Sequence, residues 1–284
     1  MDKAPGMTSH DVVARVRRII GTRKVGHAGT LDPMATGVLV LGVERATRLL
    51  GHLALDTKAY LASISLGATT TTDDIEGEIL SEVDGSTVDE EELKAGIAVL
   101  TGPIQQVPSS VSAVKVDGKR AYARVRSGEE VVLPARPVRV DRFDLLALHR
   151  TGTATEIDVL VECSSGTYVR ALARDLGAAL GVGGHLVALR RTRVGPFALA
   201  AARTLEQLES EPTMSLDLDA AVAAAFDRRD VAADEATAIT HGQRLRPAGL
   251  TGTYGVFSPE GRALALAVDE GEQARALLVL VPAG

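Results

Sequence analysis

The chain contains one cysteine and no tryptophan, its aromatic share is 3%, and no unbroken apolar run approaches the length of a membrane helix. Each shortage removes a class of function. A single thiol, Cys163, excludes an internal disulfide framework and any multi-cysteine zinc site, and it fits a reducing compartment. Its place in the strand-like run "TEIDVLVECSSG" reads as a core position rather than a nucleophile. So few aromatics argue against a surface built mainly on base stacking. A membrane helix needs about 20 apolar residues, and "MDKAPGMTSH" lacks the apolar core of a signal peptide, so a cytoplasmic protein with no membrane partner is expected.

An overall positive charge is missing too, since the formal net charge is −6. The distribution is uneven, however. Residues 1–27 carry Lys3, Arg15, Arg17, Arg18, Arg23 and Lys24 against Asp2 and Asp11. The stretch 115–142 carries Lys115, Lys119, Arg120, Arg124, Arg126, Arg136, Arg139 and Arg142 against four acids, and residues 186–203 carry Arg190, Arg191, Arg193 and Arg203 with none. The acids gather in "TTDDIEGEILSEVDGSTVDEEEL" and between Glu206 and Glu235, so one face can be basic while the total is negative. On charge alone, solvated helix and strand faces explain these arginines as well as binding does.

The 284 residues suffice for a sizeable core and predict two domains of unequal size. "SHDVVARVRRIIG" reads as an amphipathic helix capped by Ser9 and stopped by Gly21. "GVLVLGV" reads as one buried strand, "TKAYLASISLG" as an alternating one, and "TVDEEELKAGIAVLTG" as a helix capped by Thr87. A tight turn is expected at Asp117-Gly118, then a short basic helix, then long strands in "RPVRVDRFDLLALHR" and "ATEIDVLVECSSG" and an amphipathic helix in "TYVRALARDLGAALG". With no regular βαβ rhythm, the pattern predicts an α+β fold: a mixed, mainly antiparallel sheet flanked by helices. Composition shifts near residues 204–218. Beyond it, "AAVAAAFDRRDVAADEATAI" reads as one Ala-rich helix leading into a small β-rich module, giving domains over 1–218 and 219–284.

The chemistry centres on "VGHAGTLDPMATGVLVLG", residues 25–42, which sets one acid, Asp32, in a Gly- and Pro-shaped turn before an apolar run. An isolated "LDP" is more often a turn in which the aspartate merely caps backbone N–H groups. Two other stretches bear on it. "GTYVR" puts Arg170 at the start of a helix, where it can pair with a buried carboxylate and keep it ionised, and "TKAY" supplies Tyr60, whose ring can stack and whose hydroxyl can move a proton. A competing reading gathers Mg²⁺ at Asp73, Asp74 and Glu76 of "TTDDIEGE", but three acids in a turn-rich loop are more often a solvated face.

"DKAPGMTSHDVVARVRRI", "RKVGHAGTLDPMATGVLVLGVERATRLL", "KAYLASISLG", "TTTDDIEGEI", "QQVPSSVSAVKVDGKRAYARVRSG", "CSSGTYVRALARDLGAALG" and "HLVALRRTRVGPF" together resemble, in order and spacing, the motifs of the TruB family of tRNA pseudouridine synthases. The resemblance runs from residue 2 to about residue 215 and is greatest to the actinobacterial branch. It implies the pseudouridine synthase fold with a PUA-like C-terminal RNA-binding domain, and isomerisation of uridine 55 in the T-loop of tRNA without metal or other cofactor. On this resemblance Asp32 matches the essential aspartate and Arg170 the arginine that holds it ionised. Tyr60 matches the tyrosine that stacks on uracil and helps remove the C5 proton. His27 matches the histidine that stacks in the T-loop as the base flips out, Leu189 an apolar wall of the base pocket, and Lys3 a nearby lysine of mostly structural role. Residues about 115–142 match an RNA-clamping thumb-like insertion, so Lys115, Arg120 and Arg124 are expected to bind RNA, joined by Arg190, Arg191 and Arg193.

The partner so implied is the tRNA T-stem-loop, bound by a monomer. The family reads "DKPxG" where this chain reads "DKAPG", so the turn around Lys3 is expected to differ; the family also carries a strand before that motif where Met1 here directly precedes Asp2, which leaves open either a start that lies late in the chain or a sheet edge without that strand. A non-catalytic RNA-binding protein or tRNA-folding chaperone on the same fold is the alternative. Asp32, Tyr60 and Arg170 standing together weigh against it, because binding alone does not require the acid.

Overall fold

The computed structural model describes residues 1–53, 57–109, 115–116, 119–120 and 133–281. Its first helix, Ser9–Ile20, is capped by Thr8 rather than by the expected Ser9. The Thr8 hydroxyl accepts from the Asp11 N–H at 3.1 Å while the Asp11 carboxylate accepts from the Thr8 N–H at 2.9 Å, a reciprocal capping box. Ser9 is left free for the interior, where it is buried. Val12, Val13 and Val16 bury the helix's apolar stripe, and Gly21 ends it in the left-handed conformation.

In chain order the strands are β1 (Asp2–Lys3), β2 (Val25–Ala28), β3 (Thr36–Val38), β4 (Val40–Val43), β5 (Lys58–Leu66), β6 (Ala68–Thr70), β7 (Ile79–Glu82), β8 (Gly102–Gln106), β9 (Lys115–Val116) and β10 (Lys119–Arg120). There follow β11 (Arg136–Thr151), β12 (Ala154–Cys163), β13 (Gly184–Val194), β14 (Phe197–Ala198), β15 (Asp227–Asp230), β16 (Tyr254–Phe257), β17 (Ala263–Glu270) and β18 (Gln273–Val279). The main sheet runs β1-β3-β13-β5-β12-β11-β8, with β14 on β13. All its pairings are antiparallel except β13 with β3, so the expected mixed, mainly antiparallel sheet is present. Helices Ser9–Ile20, Glu90–Val99 and Val169–Ala179 pack their apolar residues with Ile64, Ile157, Val159 and Leu186 of the sheet into one core. The helix Val169–Ala179 comes so close to β13 that a Cβ on Gly177 would lie 2.2 Å from the Gly183 carbonyl carbon.

Several elements depart from the sequence reading for physical reasons. "GVLVLGV" is two strands: β3 belongs to the main sheet and β4 pairs with β2, with the fully buried Leu39 at the crossing. The helix Glu90–Val99 is capped by Asp89, not Thr87; the Asp89 carboxylate accepts from the N–H groups of both Glu91 and Glu92. Residues 136–142, the last part of the expected insertion, are the start of the sixteen-residue strand β11. Lys115–Val116 pairs antiparallel with Lys119–Arg120, and Asp117 and Gly118, where the tight turn was expected, lie outside the described residues. Arg124 and most of the remainder lie outside the described residues.

The Ala-rich stretch is also broken. Helix Leu218–Ala225 ends at Phe226, β15 then pairs in parallel with β16, and a second helix follows over Ala233–Thr240. Arg228 on β15 sits 4.1 Å over the Phe257 ring, a cross-strand contact that helical continuation would forfeit. The C-terminal sheet β15-β16-β17-β18 has its own core around Ile239, Tyr254, Val256 and Ala265. A further apolar cluster joins Val222, Phe257, Leu266 and Leu278 to Ala28, Leu49 and Leu53, so the C-terminal unit shares a core with the N-terminal one instead of hanging from a linker.

Candidate active site

Asp32 stands on the loop between β2 and β3, and that loop is fixed from several directions. Ser9 reaches it from the first helix: its hydroxyl donates to the Leu31 carbonyl at 3.2 Å and accepts from the Leu31 N–H at 2.9 Å. The Lys3 ammonium donates to the carbonyls of Ala4, Met7 and Pro33 at 3.0, 2.7 and 3.1 Å. Arg191, only 1% exposed, sends Nη2 to the Gly29 carbonyl (2.8 Å), Nη1 to the Thr30 carbonyl (3.3 Å) and Nε to the Val38 carbonyl (2.7 Å). The loop leaves through Gly37 at φ +98°, where a Cβ would meet the Arg191 carbonyl oxygen at 2.2 Å. The side chain of Asp32 remains about a third exposed at the open end of this frame (36%).

Arg170 arrives from the first turn of the helix Val169–Ala179 and is 5% exposed. Its Nε lies 3.0 Å from Asp32 Oδ2 and its Nη2 3.3 Å from Asp32 Oδ1, a two-pronged grip on the carboxylate. Nη1 donates to the Thr72 carbonyl at 2.8 Å and lies 3.3 Å from Asp74 Oδ2. Asp74 is itself buried, accepting from the Thr72 hydroxyl at 2.5 Å and from the Glu76 N–H at 3.1 Å. One guanidinium therefore serves two carboxylates. Burial raises the pKa of Asp32 above the usual carboxylate range, Arg170 pulls it back, and Asp74 pushes it up again, for a net rise. Arg170 therefore opposes the effect of burial on Asp32 without reversing it.

Tyr60 lies on β5 between Val161 and Arg191 of the neighbouring strands and is buried. Burial pushes its hydroxyl up to about 12 against the pull of Arg191, and Asp32 is near enough to add to the rise. Leu189 sits two residues before Arg191 on β13, opposite Ala62, in the same core as Tyr60. His27 on β2 meets His10 of the first helix edge to face, with centroids 5.4 Å apart and planes at 83°. A carboxylate aimed out of a rigid loop beside a buried phenol and a shared guanidinium can act as a nucleophile or as a base.

Three family models match the chain: the TruB family pseudouridylate synthase N-terminal domain over residues 17–169, the tRNA pseudouridylate synthase B C-terminal domain over 170–222, and the tRNA pseudouridine synthase II C-terminal model over 226–281. The chain belongs to the TruB family. It is 61% identical over 284 residues to the tRNA pseudouridine synthase B of Rhodococcus jostii (strain RHA1), covering 100% of this chain and 93% of that one. It is 60% identical over 284 residues to the one from Nocardia farcinica (strain IFM 10152), with the same coverage. A crystal structure of a Cbf5-Nop10-Gar1 complex aligns with TM-score 0.74 at 26% identity over 99% of this chain and 84% of that one. A structure of an H/ACA RNP bound to a substrate RNA containing 2′-deoxyuridine shares the fold, with TM-score 0.73 at 24% identity over 99% and 84%.

In this TruB-family chain the structure gathers Asp32, Arg170, Tyr60, Leu189 and Lys3 about one loop. The carbonyl-bound Lys3 explains how "DKAPG" keeps that loop in place: Gly6, left-handed at φ +78°, donates its N–H to the Pro33 carbonyl at 2.9 Å. Arg191, expected as a phosphate contact, is instead buried, with its guanidinium committed to three backbone carbonyls. Arg190 keeps a partly exposed side chain but pairs with Asp2 at 2.7 Å and donates to Thr36 at 3.2 Å, joining β13 to the sheet edge. Lys115 and Arg120 are described in backbone only, within β9 and β10. Asp73 and Asp74 are not a solvated face, because Arg174 and Arg170 pair with them. Sequence reasoning missed the parts played by Ser9, Asp74 and Arg191. The signal for Asp74 was its place among three acids in a turn within a family-like motif, and for Arg191 its position two residues from the buried Leu189 on a strand where Leu186, Leu189 and Val194 also turn inward.

Proposed function

We propose that this protein isomerises uridine 55 in the T-loop of tRNA to pseudouridine, acting as a monomer on the T-stem-loop, and that residues 1–218 carry the reaction while 219–284 hold RNA. The observation that carries the reading is the Arg170 fork on Asp32 at the tip of a fixed loop. Family membership supports it.

The reaction breaks the bond from ribose C1′ to uracil N1, turns the base, and joins C1′ to C5. The proton lost from C5 is balanced by one gained at N1, so no electrons are exchanged. Asp32, as the anion, attacks C1′, attacks C6, or removes the 2′ proton; each route needs one positioned carboxylate. Arg170 opposes the protonation that burial favours. Tyr60, neutral at pH 7 with its hydroxyl at about 12, offers a stacking face and a proton relay rather than a standing base. A uridine within a folded RNA loop must leave its stack to reach Asp32, and His27 is the side chain assigned to the space it leaves.

The test uses unmodified tRNA tritiated at C5 of uridine. The protein should release tritium, and Asp32→Asn should release none while retaining most RNA binding. Equal release from both would remove Asp32 from the chemistry, and none from either would remove the function.

A further inference from the structure

The helix Val169–Ala179 carries a second arginine one turn beyond Arg170, and it takes no part in the roles described above. Residues four apart share a helix face, so Arg170 and Arg174 point at the same neighbouring turn. Arg170 holds Asp74 of that turn, and Arg174 holds its other acid: Nη1 lies 3.2 Å from Asp73 Oδ2. Arg174 is further bound by its neighbour Asp175, with Nε at 2.9 Å from Oδ1, and donates Nη2 to the Val107 carbonyl at 2.7 Å. Val107 directly follows Gln106, whose side-chain amide exchanges hydrogen bonds with the backbone of Tyr168 at the helix start, at 3.1 and 2.8 Å.

Asp73 has φ +60°, one of two non-glycine residues among those described in the left-handed region. A non-glycine residue adopts this conformation at a cost and keeps it only when its surroundings fix it. Backbone bonds hold the turn, its carbonyl accepting from the Leu186 N–H at 3.0 Å and its N–H donating to the Thr70 carbonyl at 3.4 Å, and the side-chain contact that holds Asp73 itself is its carboxylate on Arg174. The conformation matters because the next residue is Asp74, which enters the interior to meet Arg170. The turn at Asp73 sets the direction from which Asp74 approaches.

We propose that Arg174 is a positioning residue for the isomerisation, holding Asp73 left-handed so that Asp74 stays on Arg170 and Arg170 stays on Asp32. This rests on the reading that Asp32 performs the isomerisation. It makes Arg174 act on the chemical step and not on RNA affinity, although its partly exposed cationic side chain would pass for a phosphate contact. Were Arg174 simply a phosphate ligand, its loss would weaken binding and leave turnover intact.

The experiment measures kcat and KM for tritium release by the full chain and by Arg174→Gln, Asp73→Ala and Asp73→Gly. Arg174→Gln is expected to lower kcat about tenfold, equivalent to about 1.4 kcal/mol, with KM within about twofold of the parent. Asp73→Ala, which keeps the backbone cost and loses the carboxylate, should match it. Asp73→Gly, which adopts φ +60° at no steric cost, should lose clearly less than Asp73→Ala, and adding Arg174→Gln to it should cost nothing further in kcat. A loss confined to KM, or an Asp73→Gly variant as impaired as Asp73→Ala, would overturn the proposal. An inactive parent protein would overturn the functional reading instead, and circular dichroism of each variant identifies one that has simply unfolded.

Discussion

Asp32 is subject to opposed influences. Burial and Asp74 raise its pKa, Arg170 at 3.0 Å lowers it, and the net direction is upward. Because the anion is the reactive form, activity should fall as pH falls through a value above the ordinary carboxylate range. Arg170→Lys keeps one positive charge but cannot grip both carboxylate oxygens while serving Asp74. It is expected to move the acid limb of the pH–kcat profile to higher pH and to lower kcat on the order of a hundredfold, read from tritium release across the acid range. At this scale the sequence was informative where a residue's chemistry is unusual in its context. A lone acid in "LDP", a tyrosine after "KA" and an arginine after "GTYV" could be singled out, and the structure brings them together. Arg191 was misread because a run of arginines gives no sign of which one turns inward; only the carbonyls of Gly29, Thr30 and Val38, contributed by a distant segment, show it.

The elements around the site act chiefly as clamps on one loop. Ser9 is buried and makes reciprocal hydrogen bonds with Leu31, so Ser9→Ala leaves a buried backbone N–H and a carbonyl without that partner. The expected loss is about 1–3 kcal/mol of stability in urea denaturation, with a fall in kcat larger than any rise in KM. Intact turnover in a destabilised variant would show that the clamp serves folding alone. Long alternating strands such as β5 and β12 were legible because one residue in two faces the core. The break at Leu39 was not, since an apolar run buried on both faces carries no period to mark where it changes sheets. Caps shifted from Ser9 to Thr8 and from Thr87 to Asp89 because several competent side chains stand within two or three residues of each helix start, and burial or local geometry selects among them.

Across the whole molecule, the shift of composition near residues 204–218 marked where one unit gives way to another but not that the two share a core. Phe257 is fully buried in the cluster that includes Ala28, Leu49 and Leu53. Phe257→Ala should cost about 3–5 kcal/mol. Because Ala28 ends the strand that leads into the Asp32 loop, the loss is expected to reach turnover on tRNA as well as the C-terminal sheet. Thermal denaturation monitored beside tritium release checks this, and normal turnover at full RNA saturation would confine the cluster's role to stability. The fixed loop has one more consequence. A carboxylate anchored through Ser9, Lys3 and Arg191 has little freedom to follow its target, so under the proposed function it is the uridine that must come to the carboxylate. The enzyme then selects its substrate partly by compliance: among RNAs with the same uridine in the same sequence, those whose loops open at lowest cost are turned over at the lowest concentration.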